Sequence, residues 1–171
     1  MKIGNLLGMT MESADKVVDE GEVVTGQRQR AHALIAKSDA ARVRALFDTL
    51  ETPPTRQAVR PSDIGLLMVR GRVGGSGGAF NLGELPVARA AVRLASGAVG
   101  VGYVAGRDTG HAELAALADA MVQSPDWRAL VEDHILAPLE AEHAHRQIEA
   151  GRKAAATKVD FFTLVRTRGE P

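Results

Sequence analysis

A change of hydrophobic period at Thr52-Pro53-Pro54 constrains this chain more than any other feature. Before it, apolar residues recur at helical spacing. Ala31, Leu34 and Ile35 line one side of residues 27–37, and Val43, Leu46, Phe47 and Leu50 follow at i, i+3, i+4 and i+7 behind a Ser38-Asp39 cap. Proline lacks the amide hydrogen and holds its predecessor out of the helical region, so the double proline ends that stretch. From Arg56 the period is two. Residues 57–60 and 64–73 read as strands split by Pro61-Ser62-Asp63, and residues 85–95 and 99–105 as a hairpin about Ser96-Gly97. Gly106-Arg107-Asp108 closes the sheet region. Asp108 or Thr109 caps a helix with Leu114, Leu117, Ala118 and Met121 on one face. Ser124-Pro125-Asp126 starts a short helix, and Pro138 opens a long polar one to about Lys158. The order predicts an α+β fold: N-terminal helices, an antiparallel sheet of about four strands, then C-terminal helices with a short apolar terminal segment, VDFFTLVRT.

Composition narrows the chemistry. Of 171 residues, 45% are apolar and 25% charged, ordinary values for one globular domain. Only 4% are aromatic, so the core must be built from Leu, Val, Ala and Met. Lys plus Arg equals Asp plus Glu at 21 each, which argues against a general nucleic-acid or membrane surface. The absence of cysteine removes thiolate metal sites, iron–sulfur ligation and thiol nucleophiles. No apolar run is long enough to span a bilayer, and MKIGNLLGMTMESADKVVDEGE does not read as a secretory signal, so a cytoplasmic protein is expected.

RGRVGGSGGAFNLGE, residues 70–84, packs glycines where backbone must approach something closely. A phosphate loop would need G-x-x-x-x-G-K-[ST] leading into a helix; Gly74-Gly75-Ser76-Gly77-Gly78 has no lysine and leads into a strand. A dinucleotide G-x-G-x-x-G is missing as well. A tight or mobile connection and an amide surface for an anion or partner both remain open.

The hairpin carries the arginines. With Ser96-Gly97 as a two-residue turn, Arg93 pairs with Gly100 and Ala91 with Gly102. Ala90, Val92, Leu94, Val99, Val101 and Tyr103 then form the core face. Arg89 and Arg93 stand on the other, about 13 Å apart, over bare glycine backbone. Such a face suits a phosphate chain or an acidic element, though a solvated face fits equally. His111 and Glu113 form H-x-E, which zinc deaminases complete with cysteines this chain lacks. His111 otherwise caps its helix or contacts substrate. Glu140/His143 and Glu142/His145 are i, i+3 pairs with weak metal-holding potential, more simply a solvated helix face. No nucleophile or metal centre emerges, so neither a catalytic residue nor a metal site is expected on this chain.

The ordered set RGRVGGSGGAFNLGELPVARAAVRL, GYVAGRDTGHAE, LAPLEAEHAHR and the closing KVDFFTLVRT resembles the PhnG family, the G subunits of the bacterial carbon–phosphorus lyase core complex. The similarity runs from about Gln27 to Thr167. Residues 27–171 are therefore expected to form a single PhnG-like domain, with residues 1–26 an N-terminal extension. Val87-Ala88 before Arg89 depart from the family, where a Thr is usual. The resemblance implies an accessory subunit of a transferase complex in phosphonate catabolism. It implies H, I and J partners, with the ATP-binding-cassette-type K and L proteins associated. The complex would take ATP and methylphosphonate as substrates and displace adenine to give alpha-D-ribose 1-methylphosphonate 5-triphosphate. The glycosyl-transferring site would lie on the I subunit, and S-adenosylmethionine with an iron–sulfur cluster on the J subunit, no cofactor being bound by this chain alone. No catalytic residue carries over. The candidate anion-binding residues are Arg89, Arg93, Arg107 and His111; the candidate partner-binding residues are Gly74, Gly75, Gly77, Phe161 and Phe162.

Overall fold

The computed structural model describes residues 20–157, with side chains from Val23 onward. Helix α1 (Glu20–Ala36) is followed by α2 (Ala40–Asp48), and Asp39 sets the join. Its Oδ1 accepts from the amides of Ala41 (2.9 Å) and Arg42 (3.2 Å), two of the donors a first helical turn leaves unpaired. Val43, Leu46 and Phe47 then point inward, as their spacing requires.

Strand β1 (Arg56–Arg72) turns through a 3-10 turn at Val73–Gly75 into β2 (Ala79–Leu94), which turns again into β3 (Val99–Ala105). The sheet is antiparallel with order β1-β2-β3, so three strands stand where about four were expected. Residues 57–60 and 64–73 are one strand. Arg60 pairs with Ala91 and Asp63 with Arg89, leaving Pro61 and Ser62 opposite Ala90 alone. A bulge on an edge strand is where a residue without an amide hydrogen fits, so Pro61 bends the strand without ending it.

The β2–β3 register also differs from the expectation, by one residue. The loop is Ala95-Ser96-Gly97, closed by Leu94 N donating to Ala98 O (2.9 Å), with Gly97 at φ 91°. Three-residue hairpin loops commonly end in a left-handed residue, and glycine takes that conformation without strain. Arg93 therefore faces Val99, Ala91 faces Val101 and Arg89 faces Tyr103, while Val92 and Ala90 face Gly100 and Gly102. A slip of one turns every side chain over. Val99, Val101 and Tyr103 leave the core face, and the two glycines enter it.

Those glycines receive helix α3 (Thr109–Gln123), which starts at Asp108, whose Oδ1 accepts from His111 N at 2.9 Å. A Cβ on Gly102 would lie 2.0 Å from Ala112 O, and one on Gly100 2.0 Å from Ala116 O, so strand and helix meet backbone to backbone. The sheet covers one side of α3; α1, α2 and α4 (Pro125–Val131) cover others. Ten of its residues are buried, as a central helix demands, instead of the single stripe its sequence suggested. Helix α4 runs through one π turn (Glu132–Leu136) into α5 (Ala137–Ala156). Pro138 has no amide for the His134 carbonyl, and a widened turn accommodates the missing bond, so this proline stands in the first turn of α5, as expected, with helical backbone running into it from α4. Leu139 is buried, and Arg30 bridges Glu132 and Glu140 while Arg42 holds Glu142 (2.7 Å). Nearly every residue of α5 past His143 is exposed. Among the described residues no helix is long and apolar enough to cross a membrane.

Candidate functional site

Beyond the part of the sheet that α3 covers, β1 and β2 continue as an arm, with Ile64 pairing with Ala88 at its base beside Val104 of β3, two-stranded from Leu66–Pro86 outward, and with Arg72 pairing with Ala79 near its tip. Thirteen large apolar side chains are exposed among the described residues. Nine of them, from Ile64 to Leu85, lie on this arm, each between 36% and 68% exposed. The register assigns their faces. Leu67 pairs with Leu85 and Val69 with Gly83 on the face that carries Arg89; Ile64 pairs with Ala88, Leu66 with Pro86 and Met68 with Glu84 on the opposite face. Leu82 is an extra residue in β2 between the Val69–Gly83 and Arg70–Asn81 pairs, and it lies against Gly71, 2.7 Å from where a Cβ would stand. Gly71 therefore leaves room for a leucine. At the tip Gly74 and Gly75 take φ of 58° and 81°, Gly77 N donates to Val73 O (2.9 Å), and Arg72 Nη1 donates to Gly77 O (3.1 Å). The glycine run is the turn of this arm.

The run Ile64-Gly65-Leu66-Leu67-Met68-Val69 was the signal in the sequence. A strand with one face in water alternates apolar and polar residues, and this one does not. In the interior of a sheet that pattern is ordinary; on a two-stranded ribbon both faces are left bare.

The arginines divide. Arg89 is held by Asp63, Nε to Oδ1 at 3.1 Å and Nη2 to Oδ2 at 2.7 Å, and Arg60 Nη2 reaches the same Oδ2 at 2.7 Å. The hydrogen bonds from Arg89, with the Arg60 charge, hold the Asp63 carboxyl below the ordinary carboxylate range. The Arg89 guanidinium lies over Gly65, 3.0 Å from a Cβ built there, so a guanidinium does stand over bare backbone, on β1 instead of β3. Arg93 shares this open face with Gln57, Val99 and Val101. It is exposed and makes no hydrogen bond or ion pair with a described residue. Arg56 and Arg93 border one shallow hollow with Thr55 and Gln57. Arg107, also exposed, sits after Gly106, whose amide bonds Pro86 O (2.8 Å), at the foot of the arm. His111 is 6% exposed, and its Nε2 lies 3.0 Å from Ile35 O; facing a carbonyl oxygen, that nitrogen must carry the proton. It ties α3 to the end of α1. Glu113 accepts from Ser62 Oγ (2.7 Å), and His143 Nε2 donates to Ser38 Oγ (3.1 Å), whose own hydrogen goes to Leu34 O. Phe161 and Phe162 lie outside the described residues.

Sequence reasoning missed Asp119, an acid in the middle of AALADAMV. Its side chain is 1% exposed. Arg28 grips it with Nε (2.8 Å) and Nη2 (2.9 Å), Val101 N donates at 2.9 Å, and His32 Nε2 lies at 3.5 Å. Burial pushes this carboxyl up, but the hydrogen bonds from His32, Arg28 and the Val101 amide outweigh it and hold the pKa to about 2. Together with Gln123 Nε2 donating to Val99 O (2.8 Å), Asp119 covers the outer edge of β3. An uncovered edge would invite another strand.

The family model described as phosphonate metabolism protein PhnG matches residues 26–167. The chain belongs to the PhnG family. A relative in Rhizobium meliloti (strain 1021), the alpha-D-ribose 1-methylphosphonate 5-triphosphate synthase subunit PhnG, is 42% identical over 91% of this chain and 98% of its own length. The arm, the open arginine face and Asp119 all fall inside the matched PhnG span.

Proposed function

We propose that this chain is a non-catalytic subunit of an alpha-D-ribose 1-methylphosphonate 5-triphosphate synthase, working in the cytoplasm in phosphonate catabolism. It assembles with H, I and J subunits, and the K and L proteins associate with that core. The complex takes ATP and methylphosphonate, and a phosphonate oxygen replaces adenine at the ribose. Bond-making groups, S-adenosylmethionine and the iron–sulfur cluster belong to partner chains. The name of the relative supports the complex. The arm carries the subunit role: a monomer seldom leaves this much contiguous apolar surface in water, and a two-stranded ribbon is only marginally stable without cover. Gly74, Gly75 and Gly77 then serve partner binding by shaping its tip. Co-expression with homologues of the partner subunits tests this. The chain should co-purify with them in fixed ratio; a well-behaved monomer that never joins them refutes the reading.

A second reading gives the open face a direct part in anion binding, because Arg93 has no carboxylate partner among the described residues. Arginine stays cationic and grips phosphate oxygens in pairs. In the reconstituted complex, Arg93→Ala should raise the ATP concentration needed for half-maximal rate and leave assembly intact. Unchanged ATP dependence removes this reading.

A further inference from the structure

The arm's two faces decide how it is used. A ribbon laid flat on a partner needs one apolar face and keeps the other for water. Here Leu67, Val69 and Leu85 stand exposed on one face, and Ile64, Leu66 and Met68 on the other. Burying one set alone leaves the other in solvent. Nine residues from Ile64 to Arg72 at the strand rise make an arm about 30 Å long. Residues 64–83 include Arg70 and Arg72 and no acid, so the distal part is cationic.

We propose that the ribbon of residues 66–86 is an insertion element, threaded into a cleft of another synthase subunit that has apolar walls on both sides and acidic groups at its far end. This rests on the subunit reading above. A second copy of the chain is a poorer occupant, because two such tips repel each other. Two hollows on its own surface, about 590 Å³ beside Arg30 and Arg128 and about 430 Å³ beside Leu50 and Trp127, are the size that holds a small ligand, not a ribbon.

The test treats the faces separately in the co-expressed complex. Leu67→Ser with Leu85→Ser alters one face, and Leu66→Ser with Met68→Ser the other. Each pair should weaken association at least about tenfold, since each removes two large side chains from a wall. The isolated chain should lose far less stability than the complex, because these side chains are already 39–65% exposed. Arg70→Glu should slow association more at low salt than at high. If one pair matters and the other does not, the ribbon lies on a surface and insertion is wrong. If neither matters while the complex still forms, the arm is not the docking element, although the subunit reading stands. If the unaltered chain joins no partner, both fall. A homodimer of the isolated chain that these pairs dissociate would make a second copy the occupant and overturn the proposal.

Discussion

Gly102→Ala measures whether the sheet is threaded as described. A Cβ there would lie 2.0 Å from Ala112 O and 2.7 Å from Ala116 N, both backbone atoms of α3. Neither can swing aside as a side chain would. Ordinary contact begins near 3.4 Å, so strand and helix must part by roughly 1.4 Å. Helix α3 is packed on the sheet and on α1, α2 and α4, so that shift loosens contacts on several sides. Overpacking in a core costs about 1–3 kcal/mol, and a backbone clash belongs at the upper end. About 3 kcal/mol should lower the melting temperature by roughly 10 °C for a domain of this size. In the alternative register, one residue away, Gly102 faces outward beneath the arginines. Alanine there would stabilise by about 0.4–1 kcal/mol through the unfolded chain. The two threadings therefore predict opposite signs. Thermal and urea unfolding followed by far-ultraviolet circular dichroism reads the difference, with Gly78→Ala as control because nothing lies within 4 Å of a Cβ there. An unchanged or higher melting temperature for Gly102→Ala refutes the register and the layer built on it.

Asp119 predicts an acid limb. Its folded pKa of about 2 lies below the ordinary 3.8, so its contribution is complete above about pH 5 and lost as pH falls through 4 towards 2. At about 1.4 kcal/mol per unit, that is about 2 kcal/mol. Asp119→Asn should lose about that much at pH 7 and show a flatter decline between pH 5 and 3; urea midpoints across that range decide, and an equally steep decline in the variant contradicts the assignment. Ser124 Oγ is buried and has no hydrogen-bond partner among the described residues. Ser124→Ala should therefore be neutral or slightly stabilising, and a loss above about 1 kcal/mol in urea unfolding would show that the hydroxyl is bonded after all.

The helices were legible because their signals are local. Asp39 and Asp108 cap where the pattern placed caps, and Val43, Leu46 and Phe47 point inward at the spacing that announced them. The sheet was legible in kind but not in register, because register hung on Gly97. One residue in the loop decided which face Val99, Val101 and Tyr103 take, and no periodicity in residues 85–105 chooses between two- and three-residue loops. Pro61 was read as a break because an edge position and a bulge are properties of the pairing, not of the strand's own residues. His111 and Asp119 show the same limit from the other side. Their partners Ile35 and Arg28 lie 76 and 91 residues away, so a polar residue in the core and one at a site look alike until the chain is folded.

The glycine run now has an assigned place, and its members are not alike. Gly74 and Gly75 need glycine for their left-handed backbone, whatever surrounds them. Gly77 needs it for room, since a Cβ would lie 2.6 Å from Val73 O. Gly78 needs it for neither reason in the chain alone. If the arm enters a cleft, its tip enters first, and a tip in which only Val73 and Ser76 carry side chains is narrow. The control substitution therefore serves twice. Gly78→Ala should leave the isolated chain as stable as before and weaken the complex, a division that flexibility of the turn alone would not produce.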